Sequence, residues 1–123
     1  MKNKKYKYLR ELFPEKLPYP FGEDDYPDFD ARDTYNMDVV IAARLYEAFR
    51  LFREESIVAL DSDYCTWEVD GQQYTLGQCL DRMAEDCAYI LKGSKAEMSR
   101  KQIQKYVDDL FDILSKVFFA LWW

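Results

Sequence analysis

A chain of 123 residues with 17% aromatic and 33% charged side chains is sized for one domain that buries its own core without disulfides or metal. That composition excludes a disordered chain, and the longest apolar run, residues 117–123, falls far short of the roughly 20 residues that span a bilayer. A net charge of −6 disfavours nucleic acid as a direct ligand, and the absence of histidine excludes Ser-His-Asp and Cys-His machinery and the usual zinc sites.

Residues 4–13 are predicted to form a short helix with a basic beginning, and no signal peptide is expected ahead of it. Pro14, Pro18, Pro20 and Pro27 then force an extended path to about residue 32. Tyr19, Phe21, Tyr26 and Phe29 are spaced to pin this arm to the body as an ordered loop. Asp33 or Thr34 reads as the N-cap of a first long helix over 34–54, with Met37, Val40, Ile41, Leu45, Ala48, Phe49 and Phe52 inward.

Residues 64–75 read as a β-hairpin turned at Asp70-Gly71. Thr75-x-x-Gln78 is a capping box that feeds the hairpin into a second helix over 76–92. Leu76, Cys79, Leu80, Met83, Cys87, Ile90 and Leu91 point inward along it, and Gly93 closes it as a C′ glycine. Ser94-x-x-Glu97 and Ser99-x-x-Gln102 compete as caps for a third helix. Its core stripe is Ile103, Val107, Leu110, Leu114, Val117 and Leu121, with Phe111, Phe118 and Trp122 beside it. So wide an apolar face predicts that this helix is central and that the terminal Leu121-Trp122-Trp123 closes its core layer. Phe118, Trp122 and Trp123 are the alternative interface candidates, which leaves a homodimer open.

The expected architecture is therefore mainly α: a three-helix bundle-like domain with one hairpin and a long Pro- and acid-rich N-terminal arm. It spans 1–123 as one domain, with the helix and arm in 1–33 and the helical core in 34–123. Three cysteines, an odd number, suit a reduced cytosolic protein. Cys79 and Cys87 fall about 80° and about 12 Å apart on one helix, too far to bridge, and read as small buried hydrophobes.

Charge is uneven along the chain. Residues 1–16 hold six Lys/Arg against two Glu, whereas 23–38 and 61–90 each hold seven acids against one Arg. In the arm, Glu23, Asp24, Asp25, Tyr26, Asp28, Phe29 and Asp30 alternate acid with aromatic, a pattern suited to a basic partner that carboxylates steer and rings bury. The same residues also suit a loop whose rings pack inward while its acids are solvated.

On the third helix Asp108, Asp109 and Asp112 recur at helical spacing, with Glu85 on the second, a set of oxygen donors able to hold Mg²⁺. The pattern resembles the all-α nucleotide pyrophosphohydrolases, which pair a Glu-Glu-x-x-Glu helix with a Glu-x-x-Asp helix. Asp109-x-x-Asp112 matches the second half, while Glu85-Asp86-x-x-Tyr89 lacks the third carboxylate of the first. The alternative for these acids is a solvated helix face. Trp67, Tyr74 and Arg44 are candidates for stacking and charge in a module that sequesters a signal nucleotide.

Tyr26-Pro27-Asp28-Phe29-Asp30, then Asp33-Thr34-Tyr35-Asn36-Met37-Asp38 opening a helix, and the ending Phe118-x-x-Leu121-Trp122-Trp123 resemble small accessory proteins of tailed phages and prophages. The likeness covers the two ends of the chain. It implies a phage-type genome, a bacterial host cytosol and an accessory rather than virion-structural role; by analogy with other small acidic phage proteins, the expected function is a non-enzymatic one, binding and inhibiting a basic host defence protein.

Overall fold

The computed structural model describes residues 5–57, 59–93 and 96–121. Helices α1 (Lys7–Leu12), α2 (Met37–Glu55), α3 (Leu76–Lys92) and α4 (Arg100–Val117) are joined by one antiparallel hairpin, β1 (Thr66–Val69) and β2 (Gln72–Thr75). Short 3₁₀ turns precede α2 (Ala31–Thr34) and follow α4 (Phe118–Ala120). Among the described residues no helix is long and apolar enough to cross a membrane.

The hairpin forms as its turn chemistry dictates. Asp70 and Gly71 both take positive φ, 52° and 77°, the left-handed pair that matches the twist of two tightly connected strands. Trp67 lies opposite Tyr74 and Thr66 opposite Thr75. Thr75 then ends β2 and caps α3 at once: Gln78 N–H donates to its hydroxyl at 3.1 Å, and its own N–H donates to Gln78 Oε1 at 2.9 Å. Ser99 and Gln102 repeat this box at the start of α4, which settles that boundary. The competing Ser94 lies outside the described residues.

Helix α3, rather than α4, is central, packing on α2 along one side and on α4 along the other. The physical reason is the distribution of its buried residues. Leu76, Cys79, Leu80, Met83, Ala84, Asp86 and Cys87 are all buried, whereas α4 buries only Leu110, Ile113 and Val117. Cys79 and Cys87 sit in the core and Cys65 is exposed. Phe111 and Phe118 lie about 100° and about 80° round the helix from Leu110. They fall past the edge that α3 covers and remain 48% and 58% exposed. Val117 and the half-buried Leu121 pack inward, but Phe119 is 91% exposed, so the described part of the expected closing layer turns partly outward. Trp122 and Trp123 lie outside the described residues.

Three further local expectations are corrected. Helix α2 starts at Met37 behind Asn36, because Asp33 and Thr34 are absorbed into the 3₁₀ turn that Asp30 caps through Arg32 N–H at 2.8 Å. Its buried face includes Ala42, Ala43 and Tyr46, about two fifths of a turn from the predicted one, leaving Met37, Ile41 and Ala48 exposed. The two alanines let neighbouring elements approach closely on that side. Gly93 has ordinary helical angles, φ −56° and ψ −43°. Its lack of a side chain matters because a Cβ there would lie 2.7 Å from Ile103 Cδ1 of α4.

The arm is ordered by its rings. Phe21 packs edge-on between Tyr6 and Tyr26, at centroid distances of 5.0 and 5.8 Å, with Leu17 and Pro20 buried nearby. Tyr19 is exposed, and Phe29, also exposed, is held to the body by one face only. Asp28 and Phe29 take consecutive left-handed conformations, φ 70° and 63°, which aim the Phe29 ring at the Arg44 guanidinium 4.0 Å from its centroid.

Candidate functional site

Between α3 and α4, with Tyr74 of the hairpin at one side, lies an open cleft of about 630 Å³. Its walls follow from helical spacing: Arg82 and Asp86 are four residues apart on α3, as are Lys105 and Asp109 on α4. Arg82 organises the junction. Its Nε and Nη2 donate to the two Asp109 oxygens at 2.9 and 2.6 Å, Nη2 also reaches Asp70 at 2.7 Å, and Nη1 reaches the Tyr74 hydroxyl at 3.1 Å. One guanidinium thus ties α3, α4, the hairpin turn and β2 in the fork geometry that suits arginine.

Asp86 lies at the floor. It is 5% exposed, and its Oδ2 meets no hydrogen-bond donor among the described residues. Burial above all, and then the hydrogen bond to Asp109, push its carboxyl up to about 9. Burial also pushes Asp109 upward, but the Asp86 hydrogen bond and Arg82 together outweigh it, so Asp109 stays below the usual carboxylate range. Two carboxyls in contact cannot both ionise cheaply away from water. The pair therefore holds one proton at neutral pH, with Asp86 the acid and Asp109 the carboxylate clamped by Arg82.

The predicted helix carboxylates do not gather into one site. Glu85 and Asp109 share the cleft, whereas Asp108 is exposed and accepts Gln104 Nε2 at 2.8 Å, and Asp112 is exposed and pairs with Lys116 at 3.1 Å. No group of three or more Cys, Asp or Glu among the described residues is placed to hold a metal ion. Of the proposed nucleotide-stacking residues, Trp67 and Tyr74 are cross-strand partners, but Arg44 stands at the arm among Tyr6, Phe21 and Phe29. Arg82 occupies the position beside Tyr74. The sequence places Asp86 in the incomplete Glu85-Asp86-x-x-Tyr89 half-motif without showing its burial, although a signal is there: it stands three residues after Met83 and four before Ile90, an acid on an apolar stripe.

Most of the arm's acids are engaged internally. Arg32 holds Asp25 at 2.8 Å and Asp30 at 2.6 Å, lowering both carboxyls, chiefly through those hydrogen bonds. Asp28 is lowered by Lys5, at 2.8 Å, and then by the Tyr6 hydroxyl, with Arg44 at 3.6 Å. Tyr26 is buried and donates to Asp33. Glu23 and Asp24 are exposed without an ion pair among the described residues. The alternating acids expected to face a basic partner are, for Asp25, Asp28 and Asp30, folded onto Lys5, Arg32 and Arg44.

A third feature is the aromatic margin of α4. Phe118 and Phe119 contact each other edge-on at 5.4 Å, and Phe111 lies two turns back along the same side. No protein-family model matches the chain, and no curated protein or solved structure gives a significant match.

Proposed function

We propose that the chain is a non-enzymatic interaction protein of the tailed-phage accessory type, which docks on a basic protein of the bacterial host cytosol, with inhibition of a host defence protein as its role. The observation that carries this reading is the uncovered aromatic margin Phe111, Phe118 and Phe119, three large rings at 48, 58 and 91% exposure on a chain of net charge −6. Exposed rings clustered at one place supply the buried anchors that dominate protein interfaces. The charge selects the partner. Asp108 stands exposed on the same helix without an ion pair among the described residues, Glu23 and Asp24 add free carboxylates, and the chain carries −6 overall, so a basic surface is attracted while a second acidic copy is repelled. The resemblance at the chain's two ends supplies the phage context.

The test is affinity capture from a host lysate with the native chain and with a Phe118→Ser/Phe119→Ser double variant, alongside light scattering of each. A basic protein held by the native chain, released by moderate salt and lost from the double variant supports the reading. A concentration-dependent dimer that the same substitutions abolish assigns the margin to self-association instead. Equal capture by both chains removes the margin from function.

A further inference from the structure

The cleft between α3 and α4 presents four features that no part of the docking reading uses. Its floor holds a buried hydrogen-bond acceptor, Asp86 Oδ2, that lacks a donor among the described residues. Its sides hold aromatic rings in fixed positions: Tyr106 is stacked on Tyr89 at 4.5 Å and 18°, and Tyr74 is held by Arg82 at 3.1 Å. Its rim holds Lys105, which has no hydrogen bond or ion pair among the described residues. The neighbouring surface adds Arg100 and Lys101, equally without partners there. Its size, about 630 Å³, is that of a small-molecule site.

We propose that this cleft binds a guanine nucleotide, the base stacking on Tyr106 with its N–H edge on Asp86 and the phosphates meeting Lys105. The reasons for a nucleotide are the combination of a ring platform, a buried acceptor and an unpaired cation in one cavity. Aromatic walls bind any flat ring, because every base has a π-face to stack. The cation at the rim, extended by Lys101 and Arg100, adds attraction for an anion on a chain that is otherwise acidic.

The floor selects the base. Asp86 offers an acceptor, and the carboxylates of Asp109 and Glu85 lie in the same cleft, so a ligand edge carrying acceptors is repelled. Adenine and cytosine place a ring-nitrogen acceptor beside their amino group, and uracil flanks its single N–H with two carbonyls. Guanine presents two adjacent N–H donors, N1–H and the 2-amino group, and so suits an acid-lined floor best. Sequestration requires no bond to be made or broken: one Asp86 oxygen carries the proton shared with Asp109, and the carboxyl's other oxygen is the acceptor for the base.

Calorimetry and thermal melting of the full chain with GDP, ADP and inorganic phosphate test this. GDP is expected to bind and to raise the melting temperature, ADP to bind about tenfold or more weakly, and phosphate alone to give little shift. Lys105→Glu, a change at the cleft rim, is expected to weaken GDP by about tenfold, as is Asp86→Ala. Asp86→Asn, which keeps a carbonyl acceptor and can donate to Asp109, is expected to retain binding. Failure of millimolar GDP to bind overturns the proposal, as does equal affinity for ADP, or GDP binding that Lys105→Glu leaves unchanged.

Discussion

The Glu47 carboxylate of α2 accepts the main-chain N–H of Leu9 in α1 at 2.9 Å, and that of Tyr8 at 3.2 Å. Helix α1 is six residues long and its own N-cap, Tyr6, makes no side-chain cap. The first-turn donors that every helix leaves open are satisfied from another helix 38 residues away in sequence. Because Glu47 is partly buried to do this, its carboxyl is raised, chiefly by burial.

Glu47→Ala should therefore act on α1 rather than on α2. Alanine is at least as good a helix former within α2, but Tyr8 and Leu9 lose their acceptor, at a cost of about 1–2 kcal/mol. Urea denaturation should show that loss, and limited proteolysis should show faster cleavage within residues 5–30. Glu47→Gln keeps one acceptor and should cost less. A Glu47→Ala protein with an unchanged urea midpoint would refute the cap.

Gly93→Ala should destabilise by about 1–3 kcal/mol through crowding against Ile103, not through backbone strain, since its φ is already helical. Adding Ile103→Ala, which removes both the Cδ1 and the Cγ1 atoms that a Cβ at 93 would meet at 2.7 and 2.8 Å, should make the Gly93→Ala change cost much less than it does beside isoleucine. A double-mutant cycle measures the coupling directly, and a coupling of zero would contradict the packing of residue 93 on Ile103.

The Asp86 carboxyl is raised from the ordinary range of an unfolded aspartate, about 4, to about 9 in the fold. Between those values the folded chain keeps a proton that the unfolded chain has lost. The stability this contributes is complete below about pH 4 and is lost as pH rises toward 9. The charged groups in contact are Asp109, Arg82 and Glu85. Asp86→Asn removes this titration while keeping the shape. The native chain should lose stability relative to that variant by up to about 1.4 kcal/mol per pH unit between pH 5 and 8. Parallel melting curves over that range would show instead that Asp86 is ionised in the fold.

Two neighbouring arm substitutions should behave differently. Asp28→Lys places a cation against Lys5 and Arg44 and removes the partner of the Tyr6 hydroxyl, so it should lower the melting temperature. Asp24→Lys touches no ion pair among the described residues and should leave stability within about 0.5 kcal/mol. If both weaken capture of a basic partner equally at unchanged stability, the arm is a steering surface after all.

Local rules were legible wherever the chain's own neighbours decide the outcome. The Asp70-Gly71 turn, the Thr75 capping box and the 76–92 helix are each set by residues within four positions of one another. Gly93 and the start of α2 were misread because the same residue types serve two purposes. A glycine after a helix suits a left-handed cap or a close crossing, and only the position of Ile103 selects the second. Asp33 and Thr34 suit an N-cap, but Asp30 caps a turn ahead of them and Asp33 is taken by Tyr26.

By itself the sequence determined a mainly helical chain with one hairpin, the position of most elements, and an excess of acid concentrated in two stretches. Periodicity, turn chemistry and capping act over a few residues and need no partner. Only the tertiary structure decided which helix is central, which acids are neutralised and which apolar rings are left uncovered. Asp25, Asp28 and Asp30 lose their free charge to Lys5, Arg32 and Arg44, Asp86 gains a proton from its burial beside Asp109, and Phe111 and Phe118 fall outside the width of α4 that α3 covers. Each of these outcomes depends on distances between groups, in most cases far apart in the chain, and on what shields them from water, quantities that residue order does not contain.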